Sequence, residues 1–247
     1  MTLAARNLTV GARLNNVSAA FVPGQITAIC GPNGAGKSTL LAALAGLLAP
    51  DSGAVMLDGG ALSAMPHRRR AQRIGYLPQD GEVAWDVAVR SLVALGRMPH
   101  GDNAAAPVDA ALDALDLTSL ADRPVSKLSG GEKARALLAR VLAGQPDWIL
   151  ADEPLAALDI GHQQTLLGHL RREAERGTGV VIVLHDLALA MNHADSVVVL
   201  NEGKLAAIGA PEEALSEAIV AKVWGVAAKW IGEVGARAFV NEKRLVS

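Results

Sequence analysis

One cysteine in 247 residues, Cys30, rules out an internal disulfide, so no oxidised framework holds this chain. Its place in an apolar run suits a small packed residue rather than a reactive thiol. Charge of one sign is not in excess either. The net charge is −2, which supplies no global basic field and argues against nucleic acid as a partner. The short cluster His67-Arg68-Arg69-Arg70 reads as a solvated helix face. Although 51% of the residues are apolar, the longest nearly unbroken run, Leu40 to Pro50, is too short to cross a bilayer. Residues Met1 to Asn7 lack the basic start and long apolar core of an export signal, so a cytoplasmic chain is expected. Internal repeats and low-complexity tracts are missing as well.

What is present is a phosphate cradle. Residues Gly31 to Thr39 read GPNGAGKST. Gly31, Asn33, Gly34 and Gly36 leave backbone N–H groups free to converge on an anion, and Lys37 adds a mobile positive charge. The apolar run Gln25 to Cys30 suits a buried parallel strand, and Lys37 to Leu48 is rich in helix formers. Strand, glycine loop and helix therefore follow in the order the motif needs. Asn33, Gly34, Ala35, Gly36, Lys37, Ser38 and Thr39 are the expected nucleotide contacts, the helix N-terminus facing a β-phosphate and the Ser38 hydroxyl facing Mg²⁺.

Around the cradle the sequence predicts an α/β chain. Leu3 to Val22 alternates in the manner of antiparallel strands, and Ala54 to Leu57 with the Asp58-Gly59-Gly60 turn extends that layer. After Ile74 to Leu77 the pattern turns helical, with candidates at Val87 to Leu95 and Val108 to Leu117 flanking a turn-rich stretch, Pro99 to Pro107. A helical subdomain is thus expected as an insertion at about 81–141 of a single domain spanning 1–247. Trp148 to Ala151 and Val180 to Leu184 are continuously apolar, as in a sheet covered on both faces. Gly161 to Arg176 suits the crossover helix between them, with leucines at 166, 167 and 170. Ser196 to Lys204 begins a closing hairpin. The tail predicts a helix over Glu212 to Trp224 and a strand pair near Lys229 to Ile231 and Arg237 to Val240.

The strand at Trp148 ends in Asp152-Glu153, and ligands bind at the C-terminal edge of a parallel sheet. Asp152 is placed to hold the Mg²⁺ shell with Ser38, and Glu153 to act as the base toward the attacking water. Leu128-Ser129-Gly130-Gly131-Glu132 puts a serine and two glycines at the head of a second helix, a second anion-binding N-terminus. One phosphate loop does not need it, so the chain carries two half-sites.

At these residues the sequence resembles the ATP-binding subunits of ABC transporters, whose signature is LSGGQ or LSGGE. Six motifs stand in family order: GPNGAGKST, the Gln79 loop, LSGGE, ILADEP, Ala157-Leu158-Asp159, and His185-Asp186. The resemblance covers nearly the whole chain. It implies the ABC ATPase fold, with a RecA-like parallel core, an antiparallel β layer and an inserted helical subdomain. It also implies ATP and Mg²⁺, and a homodimer sandwiching two ATP molecules head to tail. Ser129, Gly130 and Gly131 would then reach the γ-phosphate held by the partner's loop. Gln79 would coordinate Mg²⁺ and sense the membrane partner, Asp159 would communicate across the dimer, and His185 would contact the γ-phosphate as a switch.

Departures from the family pattern fall outside the phosphate and metal ligands. Gly11-Ala12-Arg13 stands where many relatives carry an aromatic residue against adenine, and Arg13 is the candidate substitute. Lys133 and Ala134 follow the signature, and Leu155-Ala156-Ala157 follows Pro154. The segment Trp85 to His100, above all Gly96-Arg97-Met98-Pro99-His100, resembles ATPases that drive uptake of iron chelates, haem and cobalamin. The stretch from His185 to Ala190, Asp195, and Gly209 to Glu213 share that likeness. His67 and His100 are not expected to bind metal or cargo. The resemblance implies ATP hydrolysis that powers import of haem or an iron–siderophore complex. Its partners would be two membrane-spanning permease subunits and a substrate-binding protein, at the cytoplasmic face of the inner membrane. A cobalamin importer and an exporter are the alternatives within the family. A soluble ABC-type ATPase acting on ribosomes or in assembly is the alternative outside transport.

Overall fold

The structure is a computed structural model and describes residues 2–79, 86–156 and 158–244, the side chains of 242–244 excepted. The expected start of the insertion at residue 81, Trp85 of the cargo-like segment and Ala157 lie outside the described residues.

The chain opens with β1 (Leu3–Val10), β2 (Leu14–Phe21) and β3 (Ile26–Cys30), then α1 (Lys37–Leu44), β4 (Ser52–Leu57) and β5 (Gly60–Ala61). Next come α2 (His67–Arg73), β6 (Ile74–Leu77), and the inserted helices α3 (Val89–Ala94) and α4 (Ala105–Ala114). The second half runs through α5 (Gly130–Ala143), β7 (Trp148–Ala151), α6 (Ile160–Glu175), β8 (Gly179–Val183), α7 (Leu187–His193), β9 (Ser196–Asn201) and β10 (Lys204–Gly209). It ends in α8 (Pro211–Ala214), α9 (Glu217–Trp224) and the hairpin β11 (Val226–Ile231) to β12 (Ala238–Arg244).

Six strands form the central sheet in the order β10-β9-β3-β8-β7-β6, parallel except for the β9–β10 hairpin. Four others, β2-β1-β4-β5, form an antiparallel layer. Alternation within the central strands builds two cores. Ile149, Val180, Ile182, Val197 and Val199 face one core with the inserted helices, α5 and α6. Trp148, Leu150, Val181, Val183 and Val198 face the other, with α1 and the antiparallel layer. Because both faces are covered, these strands read as unbroken apolar runs. Cys30 packs in the first core and is fully buried, as its apolar setting predicted.

The largest departures from the expected boundaries are in helices. α1 stops at Leu44 rather than Leu48, because Gly46 turns into the left-handed region at φ 68° and leaves Leu47 exposed. The two insertion helices span 89–94 and 105–114, each starting or ending short of the apolar pattern; Pro107 sits in the first turn of α4, where its missing N–H costs nothing. The tail helix is two helices, broken where Ser216 leaves helical geometry and the Leu215 carbonyl accepts a bond from Trp230 Nε1 at 2.8 Å. The basic cluster does lie on an exposed helix, but Arg68 is not merely solvated. It donates to the Pro99 carbonyl at 2.7 Å and the His100 carbonyl at 2.5 Å.

That last contact belongs to a latch built from the Gly-Arg-x-Pro-His element. A Cβ on Gly96 would sit 2.0 Å from the Arg140 carbonyl, so only glycine lets this turn lie on α5. The buried Arg97 donates to Asp102 at 3.0 and 2.7 Å, to the last α5 carbonyl at Ala143 (3.0 Å) and to Gln145 Oε1 (3.2 Å). A cation at a helix C-terminus also complements the helix dipole. His100 Nε2 donates to the Gly144 carbonyl at 2.9 Å. These residues fasten the insertion to the end of the signature helix, which gives the element a structural role alongside its family likeness.

Candidate functional site

The cradle forms where β3 ends. Gly34 and Gly36 take positive φ values of 79° and 99°, and Gly36 caps α1 in a geometry that a Cβ would strain. The same Cβ would lie 2.6 Å from the Arg13 carbonyl, so the β1–β2 turn sits directly against the loop. Arg13 is exposed at that spot, where the sequence looked for a base-stacking residue. Lys37 folds back, its Nζ donating to the Gly31 carbonyl at 2.9 Å and the Pro32 carbonyl at 3.1 Å. It is 5% exposed, and burial holds its pKa below the ordinary lysine value. Asn33, Gly34 and Ser38 are open to solvent, whereas Ala35 and Thr39 are buried.

β7 delivers the carboxylates to this loop. Ser38 Oγ donates to Asp152 Oδ1 at 3.1 Å, joining α1 to the end of β7. Burial pushes the Asp152 carboxyl above the usual range, while the bonds from Ser38 and Tyr76 pull the other way. Tyr76, on the adjacent β6, is itself pushed up to about 12 by burial and by Asp152. A buried carboxylate, a serine hydroxyl and the side-chain carbonyl of Gln79 are hard oxygen donors, the set that suits Mg²⁺.

Glu153 is the node of the site. It sits in the left-handed region at φ 49°, unusual for a residue with a side chain, and such backbone strain concentrates at functional positions. One carboxylate oxygen accepts from Gln79 Nε2 at 2.8 Å, and the other meets His185 Nε2. Glu153 and His185 line a cavity of about 100 Å³ together with Gln163 and Asp186. Asp186 caps α7 by accepting from the Ala188 and Leu189 N–H groups, which fixes the turn that presents His185.

The remaining candidates form a second group. Ser129 caps α5 with a reciprocal box: its hydroxyl accepts from the Glu132 N–H at 3.3 Å, and the Glu132 carboxylate accepts from the Ser129 N–H at 2.8 Å. Ser129 and Gly130 are exposed, and Gly131 is buried against His162. A Cβ on Gly131 would stand 2.0 Å from His162 Cδ2. His162 in turn bonds through its N–H and Nδ1 to Asp159 Oδ1, at 2.9 and 2.8 Å, and so ties the α6 cap to the signature turn. Gln163 Nε2 holds the same loop by donating to the Leu155 and Leu158 carbonyls.

The sequence-predicted residues therefore fall into two clusters. Lys37, Ser38, Gln79, Asp152, Glu153 and His185 meet through side-chain bonds or close charges, while Ser129 to Gly131 and Asp159 meet through His162. Tyr76 and His162 were missed by sequence reasoning. The signals were modest: an aromatic hydroxyl on the strand leading to Gln79, and a histidine one turn into the helix that Asp159 starts.

This geometry has counterparts. The profile of the ABC transporter family matches residues 14–156. A hemin import ATP-binding protein HmuV of Rhodococcus jostii (strain RHA1) is 46% identical over 217 residues, covering 86% of this chain and 74% of that protein. The hemin import ATP-binding protein HmuV of Myxococcus xanthus (strain DK1622) is 40% identical over 254 residues, 95% of each chain. Among solved structures, one described as an inward-facing conformation of a metal-chelate-type ABC transporter superimposes with a TM-score of 0.83 at 26% identity. It covers 97% of this chain and 96% of its own.

Proposed function

The chain belongs to the ABC transporter family, and on that premise we propose that it is the ATP-hydrolysing subunit of a haem importer. It works as a homodimer beneath two membrane-spanning permease subunits, on the cytoplasmic face of the inner membrane, with a substrate-binding protein supplying cargo. Two relatives named for hemin import, matched over most of this chain, support the cargo. The observation that carries the hydrolytic reading is Glu153, held between Gln79 and His185 beside the cradle.

In this reading backbone N–H groups of the loop from Asn33 to Ser38 bind the phosphates, and Lys37 leaves its backbone carbonyls for the β- and γ-phosphate oxygens. Arg13 lies against the base. Ser38, Asp152 and Gln79 would hold Mg²⁺, which when bound neutralises charge developing on the phosphates. Glu153 orients and deprotonates the attacking water, and His185 reports the γ-phosphate. Ser129, Gly130 and Gly131 cover the γ-phosphate of the partner's nucleotide, with Asp159 tied to that turn through His162. Gln79 connects the state of the site to the permease. ATP thus closes the dimer, and hydrolysis reopens it.

Sedimentation of the Glu153→Gln chain tests the dimer. It is expected to be monomeric without nucleotide and dimeric with ATP, and Ser129→Arg should abolish the ATP-induced dimer. A chain that binds ATP yet stays monomeric at every concentration contradicts the sandwich.

A further inference from the structure

Glu153 needs support that β7 alone does not give. Its φ of 49° is strained for a residue with a side chain, and such strain persists only where the surroundings hold it in place. On the N-terminal side the sheet does this. Ala151 pairs with Leu77 on β6 and Ile182 on β8, and the Asp152 N–H donates to the Leu77 carbonyl at 2.9 Å. On the C-terminal side the strand has already ended.

A side chain from the first turn of α6 takes over there. Gln163 Nε2 donates to the carbonyls of both Leu155 and Leu158, each at 3.2 Å. The two amide hydrogens are spent one on each carbonyl, and the reversed amide would set oxygen against two oxygens, so the chemistry fixes its orientation. Among the described residues no other side chain hydrogen-bonds to the backbone of Pro154 to Ala156 or of Leu158. The backbone bonds of this segment are local, from the Ala156 N–H to the Glu153 carbonyl at 3.2 Å and from the Leu158 N–H to the Leu155 carbonyl at 3.1 Å. The buried Leu155 side chain anchors the segment by packing, and Gln163 ties its backbone to a helix whose Leu166, Leu167 and Leu170 are buried in the core. Gln163 also borders the cavity that Glu153 and His185 line.

We propose that Gln163 is a positioning residue for hydrolysis, holding the Leu155 and Leu158 carbonyls so that the turn after β7 keeps the geometry that aims the Glu153 carboxylate. This rests on the reading of Glu153 as the base. His162, one residue earlier, packs against Gly131 of the signature turn, so the first turn of α6 serves both clusters of the site with adjacent residues.

The test measures ATP binding and phosphate release by the full chain carrying Gln163→Met, which keeps the length and loses both donors, or Gln163→Glu, which sets a carboxylate against the two carbonyls. Each should lower kcat by about tenfold to a hundredfold, the cost of misplacing a reacting group by up to about 1 Å. ATP affinity should stay within about threefold of wild type, because other bonds hold Lys37 and Ser38 in the cradle. In a Glu153→Gln background, where no base remains to be aimed, Gln163→Met should slow turnover by less than about twofold more. Three results each overturn the proposal: either variant turning over within about threefold of wild type, ATP affinity falling in parallel with kcat, or the same fold-loss in both backgrounds. Should one variant fail to fold, the other carries the test. Glu153→Gln alone separates the two readings. If it turns over like wild type, the base assignment falls and takes this proposal with it; if it is slow and Gln163→Met is not, only the role of Gln163 falls.

Discussion

Replacing Glu153 by glutamine isolates the base from everything else that Glu153 does. The wild-type carboxylate accepts from Gln79 Nε2 at 2.8 Å and meets His185 Nε2. Glutamine has the same length and keeps one carbonyl oxygen, so the bond from Gln79 survives, while its amide can donate to a neutral His185 ring. Neither Lys37 nor Ser38 loses a hydrogen bond, since these run to Gly31, Pro32 and Asp152, and Lys37 keeps the charge of Asp152 while losing that of Glu153. Nucleotide affinity should therefore change little. The lost element is proton acceptance, worth about 10²–10⁴ in rate, or about 3–5 kcal/mol of barrier at 1.36 kcal/mol per factor of ten. Steady-state phosphate release by the wild-type and variant chains, with ATP binding measured alongside, should show kcat falling by that factor and KM staying within about threefold. A variant turning over within about threefold of wild type would refute the assignment of Glu153 as base.

Three further outcomes follow from particular contacts. Gly131→Ala should weaken ATP-driven dimerisation, because its methyl collides with His162; combining it with His162→Ala should restore part of the loss, and a strictly additive pair of effects would show that the collision is not the cause. Burial pushes the Cys30 thiol up to about 12, so it stays protonated well above the usual thiol range; a maleimide at pH 8 should leave the folded chain unlabelled and label it after denaturation, and rapid labelling of the native protein would contradict the burial. Trp148→Ala removes the largest fully buried side chain among the described residues, whose ring packs on Gly179; denaturant titration should show a loss of about 3–5 kcal/mol, and a loss below about 1 kcal/mol would mean that the core collapses around the gap.

The legible parts of the sequence were those where one local signal controls the outcome. Trp148 to Ala151 was read with its observed boundaries because four apolar residues are hemmed in by Asp147 and Asp152. The cradle was legible because its glycines are required by backbone geometry, and the helix start at Ser129 because a serine with two glycines heads that helix. Tertiary contacts hid the rest. Nothing local reveals that Tyr76 will bond to Asp152, since that depends on β6 pairing with β7, which starts some seventy residues further along the chain. Nothing near Gly131 announces that His162 will fill the space a side chain would need. Apolar periodicity also carried α1 past Gly46 and joined α8 to α9, because pattern alone does not record where φ changes. Gly96 to His100 carried a family likeness in the sequence, and only the structure revealed the latch that each of its polar contacts helps to build.

Uptake of labelled haem by cells lacking this chain, complemented with wild type or with Glu153→Gln, tests the central claim most directly, with a ferric siderophore and cobalamin run in parallel. The account predicts that haem uptake disappears without the chain and returns only with the wild-type form. Haem uptake that persists without the chain, or that Glu153→Gln restores in full, would contradict it.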